Sequence, residues 1–196
     1  RNLERVPTSE VSDVIKRFPS ELLPRANAFL EQLRQSDQNR IEMIDQLVPM
    51  VEKASPERGR EVYFSIPAAC STCHRVGKEG GVIGPDLTTI GRNRSTQDLI
   101  ESILFPSASI VRQYETYVVL TTEGQIYSGV VVRETTDSIE IQQQRGEPII
   151  VLREEIDQIK PISASIMPTG LDKYLNRQQL ADLIAWLKTL DRDTPN

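Results

Sequence analysis

Five consecutive positions, Cys70-Ser71-Thr72-Cys73-His74, hold the only two cysteines and the only histidine of a 196-residue chain. Two thiols three residues apart on one helical turn lie on the same side of it. They can reach two groups along one edge of a flat ring, and the imidazole that follows then falls beneath the ring's centre. This is the attachment pattern of a c-type haem, with a thioether bond from each of Cys70 and Cys73 and His74 as the proximal axial ligand. Covalent attachment lets a small protein hold a flat apolar disc without a large enclosing core.

Three other readings compete. Structural zinc takes four Cys or His ligands, and this chain offers three. A redox pair of the thioredoxin type opens a helix after a strand of a βαβ unit, whereas here the pair follows an amphipathic helical pattern. A chance match would leave both cysteines as small core residues, without accounting for the glycine-rich loop and the methionine downstream. A single histidine rules out bis-His ligation within the chain. The sixth position is then filled by Met, another side chain, water or nothing. Met43 and Met50 fall on helical patterns and read as core packing. Met167 precedes Pro168, which biases it towards an extended loop. From the residues alone it is either a soft thioether ligand to iron or a loop methionine that packs.

The elements that must position these residues are legible as periodicities. Residues 1–54 carry three helical stripes: Val11, Val14, Ile15 and Phe18; Ala26, Phe29, Leu30 and Leu33; Ile41, Ile44, Leu47, Val48 and Val51. They predict three short helices, with Pro24 inside a first turn and Pro49 as a kink or stop. Ser55-Pro56-Glu57 is a helix start, and that helix runs to about Ser65. A connector with Pro67 leads to Cys70, and Gly77, Gly80, Gly81 and Gly84 make the loop beyond His74. Ser95-Thr96-Gln97-Asp98 is a capping box ahead of Leu99, Ile100, Ile103 and Leu104. From Tyr114 the period becomes two, predicting strands over 116–120, 125–133, 138–143, 148–152 and 156–160, with tight turns at Gly124 and Gly146. A loop at 165–170 follows. The last helix is capped by Asn176 and carries Leu180, Leu183, Ile184, Leu187 and Leu190 around Trp186.

Composition bounds the function. Charged residues make up 26% and the net charge is −5, which argues against a nucleic-acid groove or an anionic membrane surface as the main partner. No run of 18 apolar residues exists to span a bilayer. The chain starts at Arg1 without a leader pattern, so a signal peptide is expected to be absent or already removed, and a missing initiator Met suggests a mature protein or a fragment. Between Tyr114 and Lys160, nine acids stand against four bases, so the β segment alone carries the excess negative charge.

Taken in order, Gly59-Arg60-Glu61-Val62-Tyr63, Cys70–His74, Gly84-Pro85-Asp86-Leu87, Met167-Pro168 and the final helix with Trp186 resemble class I cytochrome c. The segment from Gly59 to Leu190 is more closely similar to the haem-binding domain found in planctomycete-type bacteria, often at the end of larger secreted proteins. That likeness rests on Gly84-Pro85-Asp86-Leu87, Leu104-Phe105-Pro106-Ser107-Ala108 and Ser165-Ile166-Met167-Pro168. It covers about two thirds of the chain and does not extend to 1–54. The resemblance implies that Met167 is the distal ligand and that Pro85 accepts a hydrogen bond from the proximal histidine through its carbonyl, orienting the ring. It also implies that Gly59 and Tyr63 pack against the C-terminal helix near Trp186. Arg92 and Arg94 are candidates for pairing with haem propionates, since a guanidinium fork suits a carboxylate; the alternative is a pair of solvated surface arginines.

The fold expected is α+β. A helical cytochrome c domain (55–113 and 161–196) is interrupted by a small five-stranded β barrel (114–160) and preceded by the N-terminal helical region (1–54). With bends at Gly124 and Gly129, the insertion resembles an Sm-like or SH3-like barrel. Sm-like proteins often bind RNA, but this segment is acidic and lacks a basic, aromatic strand face. Its expected roles are to cover a haem edge, set the Met loop or bind a protein partner.

Electron transfer follows from His/Met ligation, which fills the iron's coordination and raises its potential. The partner expected is a redox protein, such as a dehydrogenase or another cytochrome, and the location periplasmic or otherwise extracytoplasmic. The alternative is a haem that binds or senses CO, NO or O2, which requires Met167 to be absent from the iron or easily displaced. A peroxidase-like enzyme would need an open iron and a distal acid/base group. A purely structural interaction module would use the β segment as its working surface. No serine triad, phosphate loop or carboxylate pair competes with the haem motif.

Overall fold

A computed structural model describes residues 8–66 and 68–190. The first seven residues of the expected helical region, Pro67 of the connector and the last six residues of the expected cytochrome segment lie outside the described residues. The described chain combines α-helices with a five-stranded antiparallel sheet and a two-stranded one.

The N-terminal region differs from the three helices expected. Helix α1 spans Thr8–Ile15, and a single helix α2 runs from Leu23 to Val51. Pro24 lies in its first turn, as expected, and Pro49 is accommodated in its last. The polar stretch 34–40, which reads as a connector, stays helical because its side chains bond one turn along the helix. Gln35 donates to Asn39 and Gln38 to Glu42, and Arg40 pairs with Asp37 and with Glu101 of a later helix. Such pairs each add a few tenths of a kcal/mol to a helix, roughly 0.2–0.5. At one end of α2, Leu30 joins Val11 and Ile15 in a small cluster. At the other, Leu47, Ile44, Val48, Met50 and Val51 join the main core.

That core is built by helices α3 (Pro56–Phe64), α6 (Thr96–Leu104) and α7 (Arg177–Thr189). All three start where the capping residues predict. The hydroxyl of Ser55 accepts from the Arg58 N–H, and Ser95 with Asp98 and Asn176 with Gln179 form reciprocal capping boxes. Helix α3 lies against α7 at contact distance. A β-carbon on Gly59 would stand 1.9 Å from the Asp182 carbonyl oxygen, so only glycine permits the crossing. Tyr63 and Trp186 pack beside it with ring centroids 4.7 Å apart, a contact of the kind that adds about 0.5–1.5 kcal/mol beyond area burial. Asp182, 2% exposed, ties the start of α3 to α7. It accepts from the Ser55 N–H at 2.8 Å, from the Arg58 fork at 2.7 and 3.0 Å and from Gln178 at 2.9 Å.

The short helices α4 (Cys70–Cys73) and α5 (Ile90–Asn93) and the two-residue strands β1 (Arg75–Val76) and β2 (Glu79–Gly80) lie between α3 and α6. The five-stranded sheet comprises β3 (Thr116–Thr121), β4 (Ile126–Glu134), β5 (Ser138–Gln142), β6 (Ile149–Leu152) and β7 (Ile156–Ile162), in the order β6-β5-β4-β3-β7. Five strands form within two residues of the expected bounds. The expected closure into a barrel does not occur. The four-residue β6 pairs with β5 alone, a 3-10 turn at Arg153–Glu155 redirects the chain, and β7 returns to β3 at the opposite edge. Gly124 adopts the left-handed conformation its turn needs. Gly129 is not at a bend. It lies mid-strand, where a β-carbon would meet the Gln142 carbonyl at 2.2 Å.

Candidate functional site

Cys70 and Cys73 begin and end the single turn α4, and His74 follows in extended conformation with its N–H bonded to the Cys70 carbonyl at 2.9 Å. Ala69, just before the turn, adopts φ +50, the one left-handed non-glycine residue among those described. Both cysteines are half-buried free thiols.

The glycine-rich loop wraps this turn by backbone contact. Gly81 and Gly84 donate their N–H groups to the carbonyls of Ser71 and Cys73, each at 2.8 Å. A β-carbon on Gly80 would stand 2.1 Å from the His74 carbonyl oxygen, and one on Gly81 2.0 Å from that of Thr72. Glycine spacing in this loop is therefore a requirement for close approach. Each residue of Gly84-Pro85-Asp86-Leu87 bonds to the segment Cys73–Arg75. Beyond the Gly84 bond, Pro85 accepts from the imidazole, Asp86 pairs with the Arg75 fork at 3.0 and 2.6 Å, and Leu87 donates to the Arg75 carbonyl at 2.8 Å. Thr88 and Arg75 hold the Asp86 carboxyl down at about 2.

The His74 ring lies 2.8 Å through Nδ1 from the Pro85 carbonyl. A carbonyl only accepts, so Nδ1 carries the proton and Nε2 presents its lone pair. Burial lowers the His74 pKa against the opposing Pro85 bond, favouring this neutral tautomer. Tyr63, beneath, donates its hydroxyl to the His74 carbonyl at 2.6 Å. The sequence marks Tyr63 only as a packing residue; tyrosine rather than phenylalanine at a buried helix position was the available signal.

Burial pushes the Cys70 thiol up to about 11 and raises Cys73 as well. A redox or nucleophilic cysteine pair depends on a lowered thiol pKa, the opposite direction to the shift that burial gives here. Among the described residues, no group of three or more His, Cys, Asp or Glu is arranged to hold a metal ion.

Met167 is half-buried against the same helical core as Cys70. Its N–H donates to the Ser165 hydroxyl at 3.1 Å, and the Ser165 N–H donates to the hydroxyl of Ser107, beyond α6, at 3.0 Å. Two of the sequence motifs, Leu104–Ala108 and Ser165–Pro168, thus meet through Ser107. Met50 packs on the core as expected, while Met43 is 38% exposed. Arg92 is exposed on α5 and Arg94 half-buried after it. Lys188 of α7 holds the Arg94 carbonyl at 2.6 Å, and neither guanidinium makes an ion pair among the described residues. The structure brings Cys70, Cys73, His74 and Pro85 into one bonded unit and leaves Arg92 and Arg94 on a separate element.

No family model matches this chain, and no curated protein matches it. Among the described residues, no helix is long and apolar enough to cross a membrane.

Proposed function

We propose that this chain is a monohaem c-type cytochrome working in one-electron transfer. Cys70 and Cys73 attach the haem through thioethers, His74 is the proximal ligand and Met167 the distal one. The helices α3, α6 and α7 with the turn α4 make up its cytochrome c fold, and the open sheet is the insertion.

The residues present fit such a group. Two free thiols share one turn, the imidazole is held by Nδ1 with Nε2 left to coordinate, and Gly84 leaves the ring a space that any β-carbon would fill. The observation that carries the reading is the His74–Pro85 bond, because fixing the second ring nitrogen is what sets the tautomer and orientation of an axial histidine. A haem with His/Met ligation supplies a single electron at a raised potential. The chain's own contribution is to orient the imidazole, shield it from water and hold the Met167 loop by its backbone. The partner proposed is a redox protein, a dehydrogenase or another cytochrome, met outside the cytoplasmic membrane. Arg92 and Arg94 remain proposed partners of the propionates.

The test is the visible and near-infrared spectrum of the oxidised and reduced protein, with and without carbon monoxide. A weak ferric methionine-to-iron charge-transfer band with no carbon monoxide response is the expected result. Ready carbon monoxide binding without that band would replace the electron carrier by a ligand-binding haem. A protein with no covalent haem would overturn both.

A further inference from the structure

The loop carrying Met167 is pinned by residues that the haem reading leaves unused. It leaves the inserted sheet at Ile162, the end of β7. Ile162 pairs with Thr116, Thr116 with Val130 and Val130 with Gln142, forming one row across four strands. Thr116, Val130 and Gln142 in that row are all buried. Beyond Gln142, the turn to β6 sends Gln144 back to the loop, where its side-chain amide donates to the Ile166 carbonyl at 3.1 Å. That carbonyl belongs to the peptide unit joining Ile166 to Met167. The loop is therefore held by the sheet at its origin and again one residue before the methionine. Its third anchor, Ser107, belongs to the segment after α6.

The turn presenting Gln144 is itself braced. The buried side chain of Gln142 donates to the carbonyls of Gln143 and Gly146 at 2.8 and 3.1 Å. Gly146 supplies the left-handed backbone that the turn requires. Gln144 is thus an exposed side chain on a rigid base, able to fix a peptide plane across 22 residues of sequence.

We propose that the inserted sheet sets how firmly Met167 holds the sixth axial position, and that Gln144 is the positioning residue through which it acts. The inference rests on the reading of Met167 as a ligand. With the amide in place, the Ile166–Met167 peptide keeps one orientation and the thioether stays presented. With it removed, the loop retains its Ser107 anchor but loses its hold next to the methionine, and an added ligand competes more easily. The insertion thereby becomes the regulatory element of the site, since anything that shifts the 143–146 turn shifts this competition.

The experiment uses the haem-loaded full chain with Gln144→Ala and, alongside it, Met167→Ala. Imidazole affinity of the ferric protein and amide exchange of residues 165–167 are measured, with the melting temperature as a check on the fold. In Gln144→Ala both quantities are expected to rise about fivefold, the equivalent of one neutral hydrogen bond of about 1 kcal/mol, with melting close to the parent. Unchanged exchange or unchanged imidazole affinity in Gln144→Ala, while Met167→Ala opens the site, overturns the role of Gln144 and leaves the ligand reading standing. A Met167→Ala protein whose spectrum and imidazole affinity match the parent removes the ligand reading, and the inference falls with it.

Discussion

Gly84 lies so close to the imidazole of His74 that a β-carbon there would stand 2.5 Å from Cε1 and 2.7 Å from Nδ1. The ring cannot retreat without giving up its bond to the Pro85 carbonyl, one residue further on. Gly84→Ala is expected to turn the imidazole and to cost about 1–3 kcal/mol of stability, the usual range for overpacking. Thermal melting reports the cost, and the imidazole Nδ1–H signal reports the ring. A variant that melts like the parent and keeps a slowly exchanging Nδ1 proton would show that the site can absorb the methyl group.

Gly59→Ala probes the core away from the site. Its added carbon would meet Asp182 backbone and the Trp186 side chain, so α3 and α7 must separate. A loss of about 2–3 kcal/mol is expected in denaturant titrations, together with a red shift of the single tryptophan's emission as water reaches Trp186. An unshifted emission with unchanged stability would mean that the two helices are not held at this spacing in solution.

Asp182 links acid stability to the same crossing. Burial pushes its carboxyl up, but the Arg58 fork, the Ser55 N–H and Gln178 more than offset this, leaving its pKa below the ordinary value. A carboxylate with a lowered native pKa stabilises the fold fully above its unfolded pKa, about 3.9, and loses that contribution as pH falls through the native value. Asp182→Asn is therefore expected to lose about 2 kcal/mol at neutral pH. The gap to the parent should close progressively below about pH 4. A gap that stays constant between pH 7 and pH 3 would contradict the assignment.

The thioether reading has the plainest test. In Cys70→Ser with Cys73→Ser, haem staining in denaturing gels should vanish, and each single variant should retain one attachment bond. Staining that survives the double substitution would exclude these cysteines as the attachment site.

Where a local rule decides the structure, the sequence was legible. Ser55, Ser95 with Asp98, and Asn176 with Gln179 each mark a helix start because they satisfy orphan N–H groups within four residues. The His74 ring meets the Pro85 carbonyl, and the loop glycines that make this contact possible follow from backbone proximity. Apart from the 34–40 stretch, the failures are non-local. A polar stretch at 34–40 interrupts the apolar stripe without interrupting the helix, since i,i+4 bonding supplies what the core does not. Closure of the sheet depends on whether β6 meets β7, and no property of either strand's own residues states that. Asp182 reads as one polar residue on an apolar helix; its burial is set by Ser55 and Arg58, more than 120 residues away. Gln144 carries no signal at all, being a glutamine in a polar turn.

The long helix α2 has a mechanical consequence. From Arg40, which meets Glu101, to Val51, it is seated on the helical core, and the stretch 23–39 projects about 25 Å beyond that seat. The α1 cluster rides on that end. The helix is in effect one continuous rod joining two separate apolar clusters, Leu47 and its neighbours in the main core at one end and Leu30 with Val11 and Ile15 at the other.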